Sequence, residues 1–443
     1  MGDVADFIFR ASPRPVKEIA LVAAIGLLAG IAGRSYNVSG AGLNLYLLLI
    51  AMTGRGKEAI ANGISKLMRA TKVVCQGAAD FEGPSEIASP QALIKWLARS
   101  PCVYSIVGEF GLKLKEMSAE KAPPHITGLK RALLDLYHKS SQGATFGAMA
   151  YSKREDNTAL INSPSWTIVA EGTPETVLEN ATPALVSSGV LSRFSVISYE
   201  GVRVPYNENH SDAVPPPELV QKVAELCAYA LGLASTSKVC DVQITIAAKA
   251  VFDAFNKYAD AKINSNDGTV ADELWNRAHL KAMKWAALRA VGSNYINPSI
   301  TVEQAQWACD EINAQTVALI AKFASGDVGV IAGNEAKQLK AVEKIIGLYA
   351  TLPFEKVASY GVTAEMHRDR ICPAAYVQRR LIDTAAFRGP GGGTRALNDA
   401  LRRMLDADEL RQVPKEQMVR LYGTGARAFA ISNGKFIIEA IAA

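Results

Sequence analysis

The sequence predicts an α/β core followed by an all-α region and a small mixed C-terminal domain, on three observations. Residues 44–51 read NLYLLLIA, a continuous apolar run of the kind that fills a strand buried on both faces of a parallel sheet. Further short apolar runs at 72–74, 102–107 (CVYSIV), 166–170 (WTIVA) and 194–199 (FSVISY) alternate with helical segments such as 90–98, the pattern of a three-layer α/β domain. Beyond Pro215, Pro216 and Pro217, apolar residues recur at helix spacing over 218–233, 244–263, 270–291 and 301–323, which predicts a helical bundle.

Length and composition agree with that division. A chain of 443 residues, 49% hydrophobic and 21% charged, buries ordinary cores and is too long for one compact unit. The six cysteines (Cys75, Cys102, Cys227, Cys240, Cys309, Cys372) are scattered without a CxxC pair or a histidine couple, so neither a zinc site nor a disulfide framework is indicated and a reducing compartment fits. The apolar stretch 19–33 is shorter than a bilayer requires and rich in Ala and Gly, which predicts a buried helix and no membrane anchor. Asp3 and Asp6 precede it and no cleavage site follows, so the expected location is the cytoplasm.

The expected domains are 1–210, a core with an N-terminal helix; 211–332, a helical lid; and 333–443. The last begins with a helix at 339–349 and continues through a helix at 374–386, a GPGGG loop at 389–393, a basic helix at 394–405 and two extended pieces at 410–413 and 428–431. Three helices and a two-stranded flap are the order of a winged helix. Net charge is +5, and residues 371–443 hold nine Arg and two Lys against seven acids, so +4 of it sits in this tail. A polyanionic partner is expected there.

The chemistry begins where the first apolar strand ends. A loop between a buried strand and a helix N-terminus presents consecutive backbone N–H groups, and glycine lets them close around phosphate. The phosphate-loop pattern is GxxxxGK followed by Ser or Thr; here the stretch is Ala51, Met52, Thr53, Gly54, Arg55, Gly56, Lys57, Glu58, in which Gly56 and Lys57 match and Ala51 and Glu58 do not. A tight turn with a surface lysine is the bland alternative. The flanking strand and helix favour a nucleotide site formed by residues 53–58, with Lys57 on the β- and γ-phosphates.

Three later strand ends carry candidates. CVYSIV runs into Gly108 and Glu109, where a nucleotide hydrolase places acids for Mg²⁺ and for water, and the carboxyl ends of strands in open sheets are where ligands bind; an acid that merely caps the next turn is the alternative. WTIVAEGTPE brings Glu171 and Thr173 to a similar place, with Thr173 as either a γ-phosphate contact or a plain helix N-cap. GVLSRF places Arg193 before a strand, as an arginine for a neighbouring subunit's γ-phosphate or as half of an internal salt bridge.

The succession GRGKEA, VGEFG, SWTIVAEGTPE and GVLSRF resembles the uncharacterised P-loop family encoded in phage and prophage replication modules, itself similar to superfamily-three helicases and to the helicase half of poxvirus primase-helicases. The resemblance spans about residues 15–325. It implies a P-loop, AAA-like ATPase with an all-α lid, hexameric and moving along nucleic acid with ATP and Mg²⁺, the metal reached by Glu58 and Glu109. A primase or other replication protein is an implied partner. The pattern has Asp where this chain has Gly108.

Nucleic-acid contacts are expected at two places. ATFGAMAYS, KREDN and TALIN read as a hairpin with Lys153 and Arg154 at its tip, the pore hairpin of similar hexameric helicases, or else an ordinary solvated turn. In the tail, Arg395, Arg402 and Arg403 share the basic helix and Arg379 and Arg380 the helix before it, a DNA face made mostly of phosphate contacts. Arg277 and Lys281 on the lid are weaker candidates for nucleotide contact. The sequence therefore points to a replicative DNA helicase acting on single-stranded or duplex DNA. An ATP-binding DNA loader or regulator with little hydrolysis is one alternative, and a packaging or recombination ATPase another, although no acid cluster suited to nuclease chemistry is evident.

Overall fold

The run at 44–51 becomes the strand β1 (Tyr46–Ala51), flanked on both sides within a parallel sheet, in a computed structural model of the chain that describes residues 1–119, 121–147, 157–265, 270–324, 330–384, 386–387, 393–406 and 410–431. Its neighbours are β2 (Cys102–Val107), β3 (Ser165–Gly172) and β4 (Phe194–Tyr199), in the spatial order β2-β3-β1-β4 with every pairing parallel. All six residues of β1 are buried, as its sequence predicts for a central strand. The register pairs Tyr46 with Ile168 and Phe194, and Ala51 with Tyr199. Residues that follow Ala51, Val107, Gly172 and Tyr199 therefore emerge at one end of the sheet, and residues that precede Tyr46 and Phe194 lie at the other.

Helix Lys17–Ala32 covers one face of the sheet. Thirteen of its sixteen residues are buried, so a segment apolar on every side is here a core helix. Its small residues set the spacing: a Cβ on Gly26 would lie 2.3 Å from Val169 Cγ2, and one on Gly30 2.5 Å from Tyr104 Cβ. No helix among the described residues is long and apolar enough to cross a membrane. On the other face Tyr46 meets Tyr137, Trp166 and Phe194 at ring separations of 5.2, 6.2 and 5.4 Å. Trp166 Nε1 there donates to the buried Ser105 Oγ at 3.0 Å.

The chain divides into two compact units, Met1–Ala324 and Ser325–Ala443. In the first, helices Pro217–Ser235, Ile246–Asn264, Ala278–Ser293 and Val302–Ala324 contribute Val220, Cys227, Phe252, Trp285 and Ile312 to the same apolar core as helix Lys17–Ala32. The segments expected as a lid thus share a core with the helical layer of the sheet.

Several elements differ from expectation. Residues 72–74 are not a strand but the last turn of helix Ala59–Val74, where Val73 and Val74 face solvent. Among the described residues, the outer position beyond β2 holds only the bridge between Glu82 and Tyr104. The helix expected over 270–291 is two, Val270–Trp275 and Ala278–Ser293. Helices Phe110–Ser118 and Pro124–Leu136 were not anticipated. Strands Thr145–Gly147 and Leu160–Asn162 pair antiparallel as the base of the expected hairpin, while its tip, with Lys153 and Arg154, lies outside the described residues.

In the second unit, helices Val330–Thr351, Ala374–Leu381, Gly393–Asp406 and Lys415–Tyr422 surround an antiparallel sheet in which Ala428–Ile431 runs between Cys372–Pro373 and Leu410–Gln412. The two extended pieces are strands as expected, but helix Lys415–Tyr422 separates them along the chain and Cys372–Pro373 adds a third strand, so they are not the simple two-stranded flap the sequence predicts. Tyr349, whose hydroxyl donates to Ile371 O at 2.7 Å, packs with Tyr376 and Phe429 in its core.

Candidate functional site

Four polypeptide turns meet beyond the carboxyl ends of β1, β2, β3 and β4. The first is the glycine loop. Gly54 and Gly56 have φ of +74° and +92°, the region glycine occupies without strain. A Cβ on Gly56 would also stand 2.3 Å from the carbonyl oxygen of Arg14, so backbone conformation and space both require glycine there. Helix Ala59–Val74 starts immediately, Ala59 N–H bonding Gly56 O at 3.0 Å and Ile60 N–H bonding Lys57 O at 3.1 Å. Among the described residues no acceptor meets the N–H groups of residues 54–58. A run of unpaired N–H groups at a helix N-terminus is the geometry of an anion cradle.

Cations surround this loop. Arg55 and Lys57 belong to it, and the Arg203 guanidinium lies 3.7 Å from the Cβ position of Gly54. Arg14, packed against Gly56, donates from Nη1 to Val204 O at 2.7 Å and lies over the Tyr206 ring at 5.2 Å. Thus the segment after β4 folds back over the loop, which nothing in its polar, proline-bearing sequence announces.

The acids come from β2 and β3. Glu109 directly follows Gly108 and adopts φ +46°, ψ +41°, a left-handed conformation uncommon outside glycine that turns the chain into helix Phe110–Ser118. Glu171, half-buried at the end of β3, places Oε1 4.0 Å from the position a Cβ on Gly108 would take. Burial raises the Glu171 carboxyl above its ordinary value, Lys57 opposes that rise, and Glu109 and Glu58 reinforce it. Lys57, Glu58, Glu109 and Glu171 therefore lie in one electrostatic neighbourhood although 114 residues separate the first from the last in sequence. Among the described residues no three His, Cys, Asp or Glu side chains are already gathered as a metal cluster.

Thr173 is an N-cap: its hydroxyl accepts from Thr176 N–H at 3.4 Å and lies 3.1 Å from Thr176 Oγ1. Arg193 is at the opposite end of the sheet, because it precedes Phe194 and Phe194 pairs with the first residue of β1. Its Nη1 donates to Gly189 O at 2.6 Å, and no carboxylate among the described residues pairs with it, contrary to the salt-bridge alternative.

In the C-terminal unit Arg395, Arg402 and Arg403 are exposed on helix Gly393–Asp406, whose buried side carries Leu397, Ala400, Leu401 and Met404. Asp399 shares the exposed side and lowers its charge. Arg379 and Arg380, also exposed, lie over the rings of Tyr360 and Tyr376 at 5.9 and 5.8 Å.

Sequence reasoning singled out residues 53–58 and Glu109, which the fold brings together. It gave Glu171 no separate role and missed Arg14, Arg203 and Tyr206. The signal for Glu171 is present, an acid at the end of a buried apolar strand, whereas Arg203 has none. Together the sheet and these turns define a parallel α/β domain with a glycine loop, its N–H groups unpaired among the described residues, at the carboxyl end of a central strand. No protein-family model and no curated protein matches the chain.

Proposed function

We propose that this chain is an ATP-hydrolysing motor that acts on DNA, with a P-loop, AAA-like core, a helical lid, a C-terminal winged helix and a ring-shaped homo-oligomeric assembly. The observation that carries the reading is the convergence of Lys57, Glu109 and Glu171 beside an unpaired run of backbone N–H groups. That combination suits a polyphosphate and a hard cation: N–H groups and Lys57 for phosphate oxygens, carboxylates for metal and water.

The donor set fits Mg²⁺. The nearby acids offer carboxylate oxygens, a magnesium ion retains several waters and needs one or two protein oxygens, and Glu171, raised chiefly by burial and further by Glu109 and Glu58, is a carboxylate that a cation there would stabilise. Bound there, Mg²⁺ would neutralise charge on the phosphate oxygens. Glu171, with Glu58 contributing from the helix N-terminus, would hold that ion. Glu109 orients the attacking water and accepts its proton. Arg203 and Lys57 bind phosphate oxygens, and Thr173 fixes the turn after Glu171 through its cap. Arg193, remote from its own chain's glycine loop, is suited to the nucleotide of a neighbouring copy.

For the C-terminal unit, the winged-helix reading rests on the order strand, helix, helix, strand, helix, strand, in which Ala428–Ile431 lies between its two partners and the helix Lys415–Tyr422 is an addition to the usual two-stranded flap. Helix Gly393–Asp406 then offers Arg395, Arg402 and Arg403 to DNA phosphates. Gly108 favours one second reading, a DNA loader or regulator that binds ATP and hydrolyses little of it. Steady-state ATP turnover with and without single-stranded DNA tests both. Turnover stimulated by DNA is expected; ATP binding with no turnover favours the loader, and absence of ATP binding overturns both.

A further inference from the structure

At the end of the sheet opposite the glycine loop, cations accumulate that the reading above uses only in part. Tyr137 is buried, and three cationic groups stand around its ring, Lys284 Nζ 4.6 Å from the centroid and the Arg193 and Arg277 guanidiniums each 5.9 Å from it. Lys281 and Lys284 are buried as well. Lys281 Nζ donates to Phe194 O at 2.5 Å, and Lys284 Nζ to Asn44 O at 3.0 Å and Asn44 Oδ1 at 2.9 Å. These bonds hold the first residue of β4 and the approach to β1, so both lysines act as posts for the sheet.

They supply no countercharge. Among the described residues none of Arg193, Arg277, Lys281 and Lys284 forms an ion pair: the charge of Glu273 acts on Arg193 without pairing with it, and Asp135 is engaged by Lys139 at 3.6 Å. Arg277 Nη1 meets His138 Nε2 at 2.8 Å; partial burial together with Arg277 and Arg193 drives the His138 pKa down to about 4, so the ring is a neutral acceptor. Arg193 Nε and the Tyr137 hydroxyl are shielded from solvent and have no partner. Buried cations and orphaned donors are both unfavourable, and one anion at this place relieves both. Burial and Arg277 also bring Lys281 and Lys284 down to about 7, so the charged form of each is disfavoured and an anion beside them would favour it again.

We propose that Arg193, Arg277 and Tyr137, backed by Lys284 and opening to solvent at His138, form an oxyanion site that takes a phosphoryl group. Two guanidinium forks and a hydroxyl match a tetrahedral dianion better than a single carboxylate. The site lies at the far end of the strands from its own glycine loop, so the group is either free inorganic phosphate or the terminal phosphate of a nucleotide carried by a second copy. Only the second source rests on the ATP reading.

The test uses the full chain carrying Lys57→Ala, which disables the glycine loop. Its thermal midpoint is compared in inorganic phosphate and in chloride at equal ionic strength. A rise of a few degrees in millimolar phosphate is expected. Arg277→Gln in the same background abolishes the rise and Arg277→Lys retains part of it. Absence of the rise, or an equal rise with Arg277→Gln, overturns the proposal. Mixing Lys57→Ala with Arg277→Gln chains then separates the sources: recovered ATP turnover assigns the phosphoryl group to the neighbour's nucleotide, and no recovery with the phosphate rise intact assigns it to free phosphate. Failure of the ATP reading is separately visible, as a wild type that never turns over ATP while the phosphate rise persists.

Discussion

The Glu171 carboxylate stands 4.0 Å from the place a Cβ on Gly108 would occupy, the nearest group to it beyond the flanking residues of the chain. On the proposed reading, the carboxylate that the resemblance expects at position 108 is supplied instead by Glu171 from the adjacent β3. Glu171→Ala is expected to lower ATP turnover by about 10² to 10³, the usual loss when a preorganised electrostatic group leaves an active site. Adding Gly108→Asp to that variant restores most of the rate, since the position has room, while Gly108→Asn does not. Steady-state turnover of the three proteins decides; equal rates for the two double variants would remove the exchange of carboxylates.

The two glycines of the loop differ in what surrounds them. Gly56→Ala combines a left-handed φ with a clash against Arg14 O at 2.3 Å, whereas a Cβ on Gly54 meets nothing closer than Arg203 at 3.7 Å. Conformational strain alone is roughly 1–2 kcal/mol for either. Gly54→Ala should therefore retain the folded loop with weakened ATP binding, and Gly56→Ala should lose both binding and several degrees of thermal midpoint. Calorimetric titration with ATP beside a melting curve checks the order.

A pH dependence follows from Lys281 and Lys284. Their folded pKa is brought from 10.5 to about 7, so between these values the unfolded chain binds more protons than the folded one. Stability of the N-terminal unit contributed by these groups then rises as pH increases from about 7 toward 10.5, and the penalty is fully present below 7. Lys284→Met, which is neutral at every pH, flattens that rise. Urea midpoints from pH 6.5 to 9.5, in chloride buffers, measure it.

DNA affinity should report on helix Gly393–Asp406 through salt. Replacing Arg395 and Arg402 by Ala is expected to reduce the slope of log affinity against log salt by about two, close to one for each lost phosphate contact. Asp399→Ala on the same exposed side strengthens binding by removing a like charge of the phosphates. An unchanged slope in the double variant would place the contact elsewhere.

The strands were legible because each is a short apolar run that the fold uses as a buried parallel strand, and 194–199 was read to the residue. The run at 72–74 misled because Val73 and Val74 are apolar yet exposed at the end of a helix, a place where hydrophobicity carries no information on burial. Helix 19–33 was legible as buried from its length; that its glycines accommodate Val169 and Tyr104 was not, since those partners are more than 70 residues away. The glycine loop and Glu109 were found by local pattern. Arg203 and the cation group around Tyr137 are products of long-range folding, and no local spacing brings Tyr137, Arg193 and Arg277 into one set.

The central claim is that the unpaired N–H groups of residues 54–58, with Lys57, hold the phosphates of ATP. Binding and turnover of Mg-ATP by wild type and Lys57→Ala, at equal protein concentration and with matching circular dichroism spectra, test it directly. The expected result is a wild type that binds and hydrolyses ATP and a folded Lys57→Ala protein in which turnover is abolished. Wild-type turnover in the Lys57→Ala protein would contradict the assignment.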